Sequence, residues 1–203
     1  MFPFDAILFD VGGVLLTNCW DHQERKAAVE HFHLDAKDLE TRHLDFFPAW
    51  ERDEIGLAAY LSQVVFYRPR PFSRDEFFAF ILSQSRLLPD SALGILGEVA
   101  ASHKYLIGAL NNEARATNRY RFRKFGLRDY FGVLLSSCYL GMRKPEPAIY
   151  RRTLDILGKP AHRVLFIDDR QENLNGAAAA GMKTLLYQGS QALRGELEGI
   201  GVL

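Results

Sequence analysis

Four places in the chain carry residues whose chemistry exceeds what packing requires. Asp10 closes the apolar run Ala6-Ile7-Leu8-Phe9 and is followed by Val11-Gly12-Gly13. Asn111-Asn112 closes a second run from Tyr105 to Leu110, and Asp168-Asp169 closes a third from Val164 to Ile167. Lys144 stands in Gly141-Met142-Arg143-Lys144-Pro145, beyond the short run Val133-Leu134-Leu135. If these places converge, three carboxylates meet and repel one another unless cations lie among them. Lys144 supplies one positive charge, and a hard divalent ion such as Mg²⁺ is the natural second. A site of that kind suits an anionic substrate attacked by a carboxylate, and the chemistry it suggests is phosphoryl transfer through an aspartyl-phosphate.

Convergence requires the runs to be neighbouring strands of one parallel sheet, because open α/β sheets bind ligands at the carboxyl ends of their strands. The patterning predicts that arrangement. Strands are expected at 6–9, 105–110, 133–135, 164–167 and 184–187, with a brief continuation of the first at 14–16. Helices are expected between them at 92–101, 113–125, 145–157 and 172–180, with Pro145 at a helix start and Gly126 and Gly181 as C-caps. Strands alternating with helices imply right-handed crossovers and a sheet covered on both faces. Residues 21–84 read differently, as helices at 24–32, 35–44, 57–66 and 73–87. Ser73-Arg74-Asp75-Glu76 forms a capping box, and Pro69-Arg70-Pro71 breaks the pattern before it. The expected fold class is α/β: a Rossmann-like, doubly wound parallel sheet core at 1–16 and 90–203, with an inserted α-helical cap at 17–89.

The 203 residues suffice to bury a core without disulfide staples. Lys plus Arg and Asp plus Glu are 25 each, so zero net charge removes any global argument for a nucleic-acid partner. The basic run Arg115, Arg119, Arg121, Arg123 and Lys124 reads as a solvated helix face. Cys19 and Cys138 stand far apart with no partner motif, so neither a disulfide nor a thiolate metal site is expected. No apolar stretch is long enough to cross a membrane, and Met1 to Asp5 lacks the basic region of a signal peptide, which makes a cytoplasmic location the expectation. Composition leaves the oligomeric state open.

Taken singly, each feature has an ordinary explanation. Strand-end aspartates cap helices and form turns, and an isolated lysine is a surface residue. His31 and His33, two apart on a helix, point to different sides and do not form a zinc pair. Phe77, Phe78 and Phe80 read as cap core, while Trp20, Trp50 and Arg52 could equally face a substrate or pack. Gly12-Gly13 has no GxGxxG around it, which argues against a dinucleotide site.

The joint set Phe9-Asp10-Val11-Gly12-Gly13-Val14-Leu15, Leu110-Asn111-Asn112, Gly141-Met142-Arg143-Lys144-Pro145 and Ile167-Asp168-Asp169 resembles the four motifs of the haloacid dehalogenase (HAD) superfamily, in the same order. A helical cap inserted between the first two motifs is also similar, and the branch most resembled is the phosphatase-like one of the epoxide-hydrolase amino-terminal domain and sugar-1-phosphatases. The resemblance implies that Asp10 is nucleophile and metal ligand, and that Lys144 holds nucleophile and phosphate together. It implies substrate contacts from Asn111, Asn112 and Gly13. The implied Mg²⁺ site comprises Asp10, the Gly12 carbonyl and Asp169 in the inner sphere, with Asp168 outer. Gly12 departs from the pattern, which usually has an Asp there as general acid/base; both its jobs then fall to solvent or to a neighbouring group, and a slow or leaving-group-selective enzyme is expected. The implied activity is Mg²⁺-dependent hydrolysis of a small phosphorylated metabolite. Haloacid dehalogenation and a weakened phosphate-binding regulator are the alternatives; the Asp168-Asp169 pair favours the phosphatase, because the dehalogenase branch resembles a metal-free site.

Overall fold

The computed structural model describes residues 3–203. Met1 and Phe2, on which part of the amino-terminal reading falls, lie outside the described residues. The chain begins with β1 (Ala6–Phe9) and then enters a helical insert of α1 (His22–Phe32), α2 (Ala36–Glu51), α3 (Leu57–Val64) and α4 (Arg74–Ser83). It returns through α5 (Leu93–Ala101), β2 (Leu106–Ala109), α6 (Arg115–Lys124), β3 (Val133–Leu134) and α7 (Ser137–Leu140). The remainder is α8 (Pro147–Leu157), β4 (Val164–Asp168), α9 (Gln171–Ala179), β5 (Lys183–Leu186) and α10 (Ser190–Gly199).

The five strands form one parallel sheet in the order β3-β2-β1-β4-β5. Strand residues alternate between faces, so Ile7, Phe9, Ile107, Ala109, Leu165 and Ile167 pack with Ile95, Leu96 and Leu193 on one side. Ala6, Leu8 and Phe166 pack with Ile149, Tyr150 and Leu174 on the other. The register aligns Phe9 with both Ala109 and Ile167. Asp10, Leu110 and Asp168 therefore leave the sheet at one level. The order changes direction at β1, with β2 on one side and β4 on the other, and there a parallel sheet opens its crevice.

The insert has its own core, in which Trp20, Leu39, Trp50, Tyr60, Leu61, Phe77 and Ile81 are buried together. Its two connections to the sheet run side by side: Leu16 bridges Leu87 in antiparallel fashion, and the Thr17 amide donates to the Arg86 carbonyl at 2.9 Å. That pairing corrects two expectations. Residues 14–16 do not extend β1, and α4 ends at Ser83, short of Leu87. Helix α2 runs seven residues beyond its expected end at Leu44, because Trp50 continues its buried face. Helix α8 starts at Pro147, leaving Pro145 in the preceding loop. Helices α7 and α10 lie outside the expected elements; α7 is a single turn, and α10 anchors itself through Leu193 and Leu197.

Candidate active site

Lys144 is the hinge of the site. Its ammonium lies 3.1 Å from Asp10 Oδ2 and 2.6 Å from Asp168 Oδ2, and the side chain is buried. Burial alone pulls its pKa down, but the two carboxylates outweigh it and the net shift is upward. Asp10 is pushed up to about 7 by burial, against the pull of Lys144, with Asp168 and Asp169 pushing the same way. Asp169 is also raised, by burial and by Asp168. One oxygen from each of the three aspartates lies within 4.8 Å of the others, an arrangement able to hold a metal ion.

The three carboxylates are not equivalent. Asp168 accepts from Lys144, from the Arg170 amide at 2.8 Å and from Asn173 Nδ2 at 3.0 and 3.1 Å, so its oxygens are committed. Asp169 Oδ1 is buried without a hydrogen-bond partner. Asp10 Oδ1 accepts from its own neighbour, the Val11 amide, at 2.7 Å. An orphaned carboxylate oxygen beside Asp10 is the donor a hard cation would use, so the residues fit a Mg²⁺ ion.

The glycines after Asp10 make room. A Cβ on Gly13, where φ is +74°, would sit 2.0 Å from Asp169 Oδ2, so no side chain is admitted there. The Gly13 amide is engaged by the Leu16 carbonyl at 2.8 Å. A Cβ on Gly12 would lie 2.5 Å from Asn18 Oδ1. The amide of Asn18 thus occupies the space that a side chain at Gly12 would claim, and its Nδ2 donates to Asp21 at 3.2 Å.

The two strand-end asparagines part ways. Asn112 lines the cavity and clamps the lysine loop, accepting from the Lys144 amide at 2.8 Å and donating to its carbonyl at 2.9 Å. Asn111 turns inward, donating to Asn118 at 3.0 Å and accepting from Ser136 at 2.7 Å. Its side chain braces β2 against the loop after β3.

Above the carboxylates a cavity of about 430 Å³ opens beneath the insert. From the sheet side come Asp10, Gly12, Asn112, Lys144 and Arg143; from the insert come Trp20, Arg25, His43, Phe47 and Glu51. Of the aromatic candidates, Trp20 reaches the cavity and donates to Tyr60 at 2.7 Å, Trp50 stacks on Tyr60 at 4.1 Å, and Arg52 pairs with Glu146. The basic run on α6 is no plain solvated face: Arg121 is buried, pairs with Glu113 and donates to the Thr17 carbonyl at 2.6 Å, and Arg115 pairs with Asp53 at 2.7 Å. Sequence reasoning missed Asn18, Asn173, Arg143 and Glu51. Asn173, five residues after Asp168 on the first turn of a helix, was discoverable by spacing; Glu51, 41 residues from Asp10 in sequence, was not.

This constellation, at the crevice of a doubly wound sheet under a helical insert, defines a capped α/β hydrolytic site. A model of the haloacid dehalogenase-like hydrolases matches residues 4–181, and the chain belongs to that family of enzymes. Over 72 residues it is 42% identical to bifunctional epoxide hydrolase 2 of Rattus norvegicus, a match that takes in 36% of this chain and spans 13% of that protein's length. It is 28% identical to a sesquiterpene phosphatase of Aspergillus oryzae over 96% of this chain and 95% of the relative. A HAD family enzyme of Bacteroides thetaiotaomicron, solved as a magnesium complex, superposes with a TM-score of 0.77 at 22% identity, covering 95% of this chain and 99% of that one. That likeness is one of fold. Among the described residues no helix is long and apolar enough to cross a membrane, and both cysteines are free and buried.

Proposed function

We propose that the protein is a Mg²⁺-dependent phosphatase of the epoxide-hydrolase and sugar-phosphatase-like branch, hydrolysing a small phosphorylated metabolite through an aspartyl-phosphate on Asp10. The observation that carries the reading is the Lys144 ammonium bridging Asp10 and Asp168 beside the orphaned oxygen of Asp169, at the floor of the cavity. An ammonium so placed favours the ionised form of the attacking carboxylate against burial and offers its remaining donor to a phosphoryl oxygen. Asp10, Asp169 and the Gly12 carbonyl would hold Mg²⁺, with Asp168 positioning Lys144 and the metal loop. The bound ion would offset the charge that accumulates between the carboxylates and the phosphoryl group.

Asp10 Oδ attacks phosphorus, the ester P–O bond breaks, and water later releases phosphate and restores the carboxylate. Asn112 fixes the lysine loop. Gly13 contributes space for Asp169, and Asn111 acts on substrate through the loop it braces. The insert, residues 17–89, closes over the sheet core to keep water away until transfer is complete. A cavity lined by Arg25, Glu51, Arg143 and Asp21 suits a polar leaving group. Phosphate release from a panel of metabolites, with Mg²⁺ and with EDTA, tests the reading. Metal-dependent turnover lost in Asp10→Asn supports it; chloroacetate dehalogenation without metal-dependent phosphatase activity overturns it.

A further inference from the structure

Gly12 leaves the reaction without a proton donor at the usual place, and Asn18 fills the space with an amide that cannot serve. Six other acid–base side chains line the cavity: Cys19, Asp21, His43, Glu51, Glu113 and Glu172. Burial pushes the Cys19 thiol up to about 12, and it donates to the Ile81 carbonyl, so it keeps its proton. Asp21 is tied to Arg170 at 2.7 Å and to Asn18. His43 Nδ1 shares a hydrogen bond with the Tyr60 hydroxyl at 2.7 Å, and burial, with Arg25 and Arg143 beside it, holds its pKa down at about 3, so it stays neutral and is a poor proton acceptor. Glu113 is saturated by Arg121 and Thr117. Glu172 is exposed to solvent.

Glu51 is different. It ends α2, its side chain is only 5% exposed, and its backbone carbonyl accepts from Ser137 Oγ of the core at 2.9 Å, which fixes this end of the helix against the sheet side of the cavity. Arg143 Nη2 comes within 2.7 Å of Glu51 Oε2, and this buried ion pair is the one partner the structure gives the carboxyl among the described residues. Arg143 is also the residue before Lys144, and this contact ties the cap carboxyl to the phosphoryl end of the site. A buried carboxyl with a single cationic partner at the wall of a cavity keeps acceptor capacity that substrate or water would complete.

We infer that Glu51 is the general acid and base of the reaction, delivered by the cap in place of the missing carboxyl at position 12. As the ester P–O bond breaks, the Glu51 carboxyl gives its proton to the departing oxygen. In the second half-reaction the Glu51 carboxylate takes a proton from the attacking water as the P–Oδ bond of Asp10 breaks, which returns both carboxyls to their starting states. Burial, opposed by Arg143 and reinforced by Glu113, pushes Glu51 up to about 7, with Lys144 also pulling it down; both protonation states are then populated near neutrality. Catalysis would thus require the closed cap, because only closure brings the acid to the nucleophile.

The inference rests on the phosphatase reading, and its test separates the two. kcat/KM would be measured for alkyl and aryl phosphates of graded leaving-group pKa, in the wild type and in Glu51→Gln. The expected result is a shallow leaving-group dependence in the wild type. Glu51→Gln should lose about 10²–10⁴-fold on alkyl esters and less than tenfold on 4-nitrophenyl phosphate, which should now give a product burst as dephosphorylation slows. If Glu51→Gln does not fold, the wild type alone decides: its slope should steepen as pH rises through about 7 and Glu51 loses its proton. Equal losses on aryl and alkyl esters, or a wild-type slope already steep at acidic pH, overturn the inference while leaving the phosphatase reading intact. Absence of any Asp10-dependent phosphate release overturns both.

Discussion

Replacing Lys144 by Met keeps the length of the side chain and removes the charge, leaving Asp10 and Asp168 without the cation that bridges them. The lysine is 2% exposed and lies 3.1 and 2.6 Å from the two carboxylates, of which Asp168 is fully buried and Asp10 meets only the cavity. Breaking a buried ion pair from one side costs about 3–5 kcal/mol, because the remaining charge stays desolvated. In a chain of this size each kcal/mol moves Tm by about 2–4 °C, so Lys144→Met should melt about 6–20 °C lower in EDTA. Mg²⁺ binds the folded site alone and stabilises by mass action. It should therefore recover a larger share of stability in Lys144→Met than in the wild type, since the ion then neutralises carboxylates the lysine no longer serves. Thermal unfolding of both proteins, titrated with MgCl₂ and followed by circular dichroism, measures each term. Equal melting temperatures in EDTA would refute the buried bridge, and a Mg²⁺ response that disappears in the variant would refute the division of labour between lysine and metal.

Other perturbations follow from the same geometry. Gly12→Asp alone should be destabilised by about 1–3 kcal/mol, because the new Cβ overlaps Asn18 Oδ1, whereas Gly12→Asp combined with Asn18→Gly should regain most of that loss; denaturant melts on the pair decide it. Glu51 has a folded pKa of about 7 against 4.5 when unfolded. The folded state therefore binds the proton more tightly, and stability falls as pH rises between those values, by about 3 kcal/mol in full. The stability gap between wild type and Glu51→Gln should change across that window and stay constant above it. For the cap, Arg52–Glu146, Arg115–Asp53 and Arg170–Asp21 tie insert to sheet core at or near the surface. High salt should favour the open form, seen as a larger radius of gyration in small-angle scattering that contracts again with a phosphate analogue. An unchanged radius in both conditions would count against a moving cap.

The part of this protein that its sequence determines is the part written in local pattern. The two central strands β1 and β4 are short buried runs that lead into Asp10 and Asp168, and the helices between strands carry their own start and stop signals, so Ala6–Phe9, Val164–Asp168 and the capping box at Ser73 are legible from neighbours in the chain. Parallel pairing follows from alternation with helices, and once strands are parallel their carboxyl ends must gather, which brings Asp10, Asp168 and Asp169 together. Side-chain direction is another matter, because it depends on partners distant in sequence. Asn111 and Asn112 are adjacent and chemically identical, yet one is held inward by Ser136 and Asn118 while the other grips the lysine loop. Arg121 reads as a solvated member of a basic run and is buried against Glu113 because the insert folds over that helix. Glu51 has no motif at all. Its burial, its ion pair with Arg143 and its place in the wall of the cavity that Asp10 also lines arise only where two units with separate cores meet, and no periodicity within either unit encodes that meeting.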